Sequence, residues 1–126
     1  MEKGLILKIL GKEDSVKLED QVYNLREITD ETRINIASNE EIFRDELYIK
    51  RFQHELYKIS EVLESIKKNM ELPENSIGYT NSRVYLKNYI INMCKNIELL
   101  IESLKPCDMK KIIYYNNMIA DLVLKY

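Results

Sequence analysis

Ile49, Phe52, Leu56, Ile59, Leu63, Ile66 and Met70 follow one another at alternating intervals of three and four residues. That is the period of a single apolar stripe on a helix packed at a shallow angle against its neighbours. The stripe lies between Ser38 and Pro73, which predicts a helix from Asn39 to Glu71, about 50 Å long at ~1.5 Å per residue. Ser38 and Glu41 have the spacing of a capping box, in which a hydroxyl and a carboxylate satisfy the free amides of a helix start. A break is therefore expected near Ser38, although neither Gly nor Pro marks it.

The same period recurs after Thr80 in Leu86, Ile90, Met93, Ile97, Leu100 and Leu104, with Ile91, Cys94, Leu99 and Ile101 widening the apolar face. A face that wide predicts the central helix of a bundle. Lys105-Pro106 closes it, and Asp108 is placed to cap a last helix carrying Ile112, Tyr115, Ile119 and Leu122 on its seam. So short a connection makes these two helices antiparallel neighbours. Upstream, Leu18, Val22 and Leu25 begin a stripe from about Ser15 that Thr29, Thr32 and Ile36 continue. Threonines are poor core residues, so this helix is expected to be the most loosely attached. Residues 1–13 hold an apolar run between Gly4 and Gly11 that suits either a small helix or an edge strand. The breakers Gly4, Gly11, Pro73, Gly78 and Pro106 all fall outside the long stripes, and Leu72 to Tyr79 is rich in turn formers. The pattern predicts an all-α fold: one domain over residues 1–126, an antiparallel bundle of four main helices with a short N-terminal segment.

Composition agrees, since 45% hydrophobic and 32% charged residues in 126 fit one helical domain with a single core. The net charge of −2 argues against a generic nucleic-acid binder, which needs a concentrated basic surface. Charge is uneven, however: residues 1–75 carry 12 basic and 17 acidic side chains, and residues 76–126 carry 7 and 4. Lys105, Lys110 and Lys111 near one bundle end thus define an alternative, a nucleic-acid-associated subunit, although no direct nucleic-acid binding by the isolated protein is expected. The run from Leu5 to Leu10 is interrupted by Lys8 and is too short for a signal sequence or a membrane span. The expectation is a cytoplasmic protein with no membrane contact. Cys94 and Cys107 have neither CxxC spacing nor accompanying histidines, so both are expected as buried or half-buried free thiols.

Chemistry is sparse. His54, the single histidine, falls at the outward position f of the heptad that has Ile49 and Leu56 at position a. His54-Glu55-Leu56 resembles the start of the phosphoacceptor box of sensor kinases, and that resemblance implies phosphotransfer through His54. It covers three residues: Arg-x-Pro should follow, and Tyr57-Lys58-Ile59 stands there. Free-standing phosphotransfer domains place a Lys three residues after the His and a small residue next, whereas Lys58 comes four after and Ile59 follows it. A solvated surface histidine is the preferred reading, with phosphotransfer the remote alternative. The Arg-x(4–6)-His signature of HEPN nucleases is not met, since Arg51 is too near His54 and Arg44 too far. Glu40-Glu41, Asp45-Glu46 and the Glu61/Glu64 pair lack the Glu-x-x-His partners of a di-metal bundle. They read instead as solvated ion-pair partners of Arg44, Lys50, Lys58, Lys67 and Lys68. No catalytic residue, metal or cofactor is expected, and the protein is read as not an enzyme.

The tyrosines say more. There are nine and no Trp, and Tyr48, Tyr57, Tyr85, Tyr89 and Tyr114 fall beside the seams. Such residues either pack their rings on the bundle with wet hydroxyls or form a contact surface. On the last helix, Ile113, Tyr114, Met118, Val123 and Leu124 lie off the main stripe, more apolar surface than one small bundle covers. These five are the candidate interaction residues. The functional expectation is a non-enzymatic protein–protein interaction module, such as a small adaptor, chaperone, inhibitor or subunit of a larger assembly. Its partner would be another protein or a second copy bound through the C-terminal helix.

Overall fold

In the computed structural model, which describes residues 1–70 and 80–126, the chain forms α1 (Lys3–Leu10), α2 (Lys12–Ser38), α3 (Glu46–Asn69), α4 (Thr80–Leu104) and α5 (Met109–Leu124). A 3-10 turn spans Glu40–Arg44. The apolar N-terminal run is helical. Gly11 ends it with a positive φ of 84°, its N–H donating to the Leu7 carbonyl while its own carbonyl accepts from Ser15 in the first turn of α2. That backbone conformation strains any residue with a Cβ, so the glycine lets two helices meet with no loop between them.

The four long helices pack as a closed ring, α2 on α3, α3 on α4, α4 on α5 and α5 back on α2, with α1 laid against α2 and α4. Cross-helix hydrogen bonds fix their directions. Asn35 reaches Tyr48 at 3.1 Å near one end of the α2/α3 pair, and Asn69 reaches Asp14 at 2.9 Å near the other. Gln53 donates to the Ile101 carbonyl and Arg83 to the Met70 carbonyl, so α3 and α4 are antiparallel. Tyr89 on α4 donates to the carbonyl of Leu122 near the end of α5. The result is an all-α, up-down-up-down bundle of four main helices. In such a ring no helix is central, which corrects the expectation for α4. Its face looked wide partly because Ile91 was counted in it, and that side chain stands exposed.

Every residue of the Ile49 to Met70 stripe is buried, as is every residue of the Leu86 to Leu104 stripe. The start of α3 differs from expectation. It begins at Glu46, and its 24 residues span about 36 Å at ~1.5 Å per residue. Phe43 supplies the reason. Lying nine residues before Phe52, it would face the opposite side of one continuous helix, about two and a half turns away. The 3-10 turn and the extended residue Asp45 swing it inward, where it is buried and meets Tyr48 edge-on with centroids 5.8 Å apart. The capping box does not form: the Ser38 hydroxyl donates back to the Ile34 carbonyl at 2.7 Å. Asp45 is the cap, accepting from the amides of Leu47 and Tyr48 at 2.9 and 3.3 Å.

The threonine stretch of α2 is also held more firmly than its composition suggests. Thr29 and Thr32 are buried, and the Thr29 hydroxyl donates to the Leu25 carbonyl at 2.8 Å, so the polar group is satisfied within its own helix. The turn residues expected between Leu72 and Tyr79, Pro73 and Gly78 among them, lie outside the described residues.

Candidate interaction surface

Asp108 caps α5 by accepting from the Lys111 amide at 3.2 Å, and from there the helix turns Ile112, Asn116, Ile119, Ala120, Leu122 and Val123 inward. Val123 is only 3% exposed and belongs to the core, which removes it from the candidate interaction residues. It comes four residues after Ile119 and seven after Asn116, one side of the helix. Expectation failed here because the polar Asn116 was passed over in favour of Tyr115, which is half-buried. The other four candidates are exposed: Ile113, Tyr114, Met118 and, at 79%, Leu124.

Helical geometry divides these four between two edges. Ile113 and Leu124 stand three turns apart on the α2 side, the side on which Asn116 donates to the Thr29 carbonyl. Tyr114 and Met118 stand one turn apart on the α4 side, where Lys111 and Tyr115 form a shallow cleft with Leu99, Glu102 and Ser103. Exposed Lys110, Asn117 and Asp121 run between the two edges. Tyr114 is braced by an edge-on contact with Tyr115, centroids 5.1 Å apart. Of the other seam-flanking tyrosines, Tyr57 and Tyr85 are exposed and Tyr48 is half-buried, but Tyr89 is buried with its hydroxyl bonded, not wet. Burial pushes the Tyr89 hydroxyl well above its ordinary value of 10.0, with smaller contributions from Tyr126 and Tyr85.

A second stripe escaped the sequence reading. On α2, Val16, Asp20, Tyr23, Glu27, Asp30 and Ile34 are all exposed, and they follow the intervals 4-3-4-3-4. This is a heptad seam on the side of α2 opposite Leu18, Val22 and Leu25. Its signal was present but diluted, because acids occupy three of its six positions. Tyr23 donates to Glu27 at 3.0 Å, and that carboxylate raises the Tyr23 hydroxyl above its usual range.

The remaining candidates are scattered. His54 is exposed on the outer face of α3, while Glu55 and Lys58 pair with each other at 3.4 Å. Glu64 pairs with Lys67 at 2.8 Å, and Glu40, Glu41, Glu46 and Glu61 are exposed. Among the described residues no group of three or more His, Cys, Asp or Glu side chains could hold a metal. Cys94 is buried, and its thiol is pushed up to about 12, first by burial and then by the Glu64 carboxylate. Cys107 is exposed, contrary to expectation, because it sits in the turn after Pro106, with its sulfur 3.7 Å from that of Met109.

Exposed Lys105, Lys110 and Lys111 share a bundle end with Arg44 and Lys50. Acids interrupt the basic charge there, since the two clefts flanking Cys107 are lined by Glu40 and Glu41 on one side and Glu46 on the other. No helix among the described residues is long and apolar enough to cross a membrane. The chain matches no known protein-family model, no curated protein and no solved structure.

Proposed function

We propose that this protein is a non-enzymatic protein–protein interaction module whose contact surface is the outer face of α5. The observation that carries the reading is that Ile113, Tyr114, Met118 and Leu124 stay exposed on a 16-residue helix whose inner side is already fully committed to the core. None of the four is needed to fill the bundle, and exposed apolar area on a small protein raises its tendency to associate. Tyr and Met are also the side chains that interfaces favour, because they bring large contact area. Adaptor, chaperone, inhibitor and assembly subunit all use such a helix face.

The nucleic-acid alternative has less support, because the acids interleaved with Lys105, Arg44 and Lys50 weaken any phosphate-attracting field. Phosphotransfer through His54 gains nothing from Glu55 and Lys58, which are engaged with each other.

The test is retention of partners from the native host on the wild-type protein, on a Tyr114→Glu/Met118→Glu variant and on Leu47→Glu, an exposed control on α3. A protein held by the wild type and the control but lost by the α5 variant, with helix content unchanged in all three, supports the reading. Equal retention on all three, or no specific retention, removes it.

A further inference from the structure

The α5 face adjoins the outer stripe of α2, and the two differ in charge. α2 carries seven acidic and four basic side chains, whereas α5 together with Lys125 carries one acid and three lysines. Asp20 and Glu27 on the outer side of α2 are in no ion pair among the described residues, and neither are Lys110 and Lys125. Each helix also presents exposed apolar side chains, Tyr23 and Ile34 on one and Ile113 and Leu124 on the other.

The register between them is fixed at two points. Asn116 donates to the carbonyl of Thr29, and ten residues further along the chain Tyr126 meets Glu19, ten residues back along α2, through Lys3, whose Nζ stands 3.3 Å from the Glu19 carboxylate and 6.0 Å from the Tyr126 ring centroid. Antiparallel helices of equal rise keep this correspondence throughout. Lys125 therefore stands level with Asp20, and Leu124 lies within a turn of Tyr23. Ile113 lies within a turn of Ile34.

We propose that the α2/α5 face binds a second copy of this chain, related by a two-fold axis running along the groove between the two helices. The proposal rests on the interaction reading above and names its partner. Rotation about an axis parallel to the helices preserves height, so it sets α5 of each copy across from α2 of the other at the levels just given. Lys125 of one copy meets Asp20 of the other, and Leu124 and Ile113 meet Tyr23 and Ile34. A two-fold axis across the helices would instead stack acidic α2 on acidic α2, and like charges oppose it. A face of about 25 by 20 Å buries on the order of 1,000 Å² in total, the lower end for a specific interface, which fits a reversible dimer. Tyr114 and Met118 fall at its rim.

Sedimentation of the full chain from roughly 1 μM to 500 μM tests this, the span in which so small an interface dissociates. The wild type should move from monomer to dimer. Asp20→Lys and Lys125→Asp should each weaken the dimer about tenfold or more, since each brings like charges face to face twice over. Mixed in equal amounts, the two variants should form a heterodimer, because both ion pairs are then restored between copies, a rescue that no contact within one chain can produce. Ile113→Glu/Leu124→Glu should abolish dimers while preserving helix content. A wild type that stays monomeric throughout, or a mixture that fails to pair, overturns the second copy as partner. Either result leaves the broader interaction reading to the retention experiment, which can fail or succeed on its own.

Discussion

Asn116 on α5 donates through Nδ2 to the main-chain carbonyl of Thr29 on α2 at 3.1 Å, while its own Oδ1 is buried with no hydrogen-bond partner among the described residues. Turning the amide over would set oxygen against oxygen, so its orientation is determined. A lone amide in an apolar seam has a preferred level opposite its partner, which apolar neighbours alone do not impose. Asn116 is thus a pin for the register of the closing helix pair.

Asn116→Asp tests the pin with almost no change of shape. At neutral pH a carboxylate there faces a carbonyl oxygen without solvent, and the expected loss is about 3–5 kcal/mol. Burial raises the folded-state pKa of such a carboxyl above its unfolded value of about 4. The variant should therefore approach wild-type stability below pH ~4 and lose stability as pH rises from there to the raised folded value. Denaturant melts at several pH values check it; a deficit that does not depend on pH counts against the pin.

Removal of the cap at Asp45 should cost about 1 kcal/mol, because the Leu47 and Tyr48 amides lose their acceptor. Ser38→Ala should change stability by less than about half of that, since its hydroxyl only bonds back within α2. Equal losses in urea denaturation would return the start of α3 to Ser38.

The inward turn of α5 separates two adjacent residues. Val123→Asp should destabilise by several kcal/mol, as burial of an unpaired charge does. Leu124→Asp should stay within about 0.5 kcal/mol of the wild type. Thermal melts of the two variants at a concentration that keeps the chain monomeric decide it.

The stripes themselves were legible because apolar residues at strict helical intervals leave few alternatives, and all seven residues of the stripe from Ile49 to Met70 are buried. What misled was polarity in unexpected places. Asn116 sits where the core demands an inward side chain, so the α5 seam was drawn through Tyr115 and Val123 was assigned to the outside. Phe43 had to reach the core, and only a departure from α-helical spacing could bring it there, which local capping signals did not reveal. The α2 stripe went unnoticed because half of its positions are acids, yet that mixture is what makes it complementary to α5.

The two thiols should differ in reactivity. Cys107 is exposed and should react with a thiol-specific disulfide reagent in the folded protein within minutes at pH 8. Cys94 is buried, with its thiol pushed up to about 12, and should react only on unfolding. Titration should therefore count one reactive thiol per native chain and two in denaturant; two in the native protein would place Cys94 outside the core.

The helix ring is sealed by its first and last long members, joined at Thr29 and Asn116 across 87 positions of sequence. Contacts that distant form late, because the chain between them must be gathered first. The α2–α3 and α4–α5 hairpins can each form early, but α5 leaves the ribosome last of the five helices. Until then the groove that will receive it is an open trough lined by Leu18, Val22 and Leu25 of α2. A nascent chain interrupted before Asp108 is accordingly a sticky half-shell, and a natural client for the cell's chaperones and proteases.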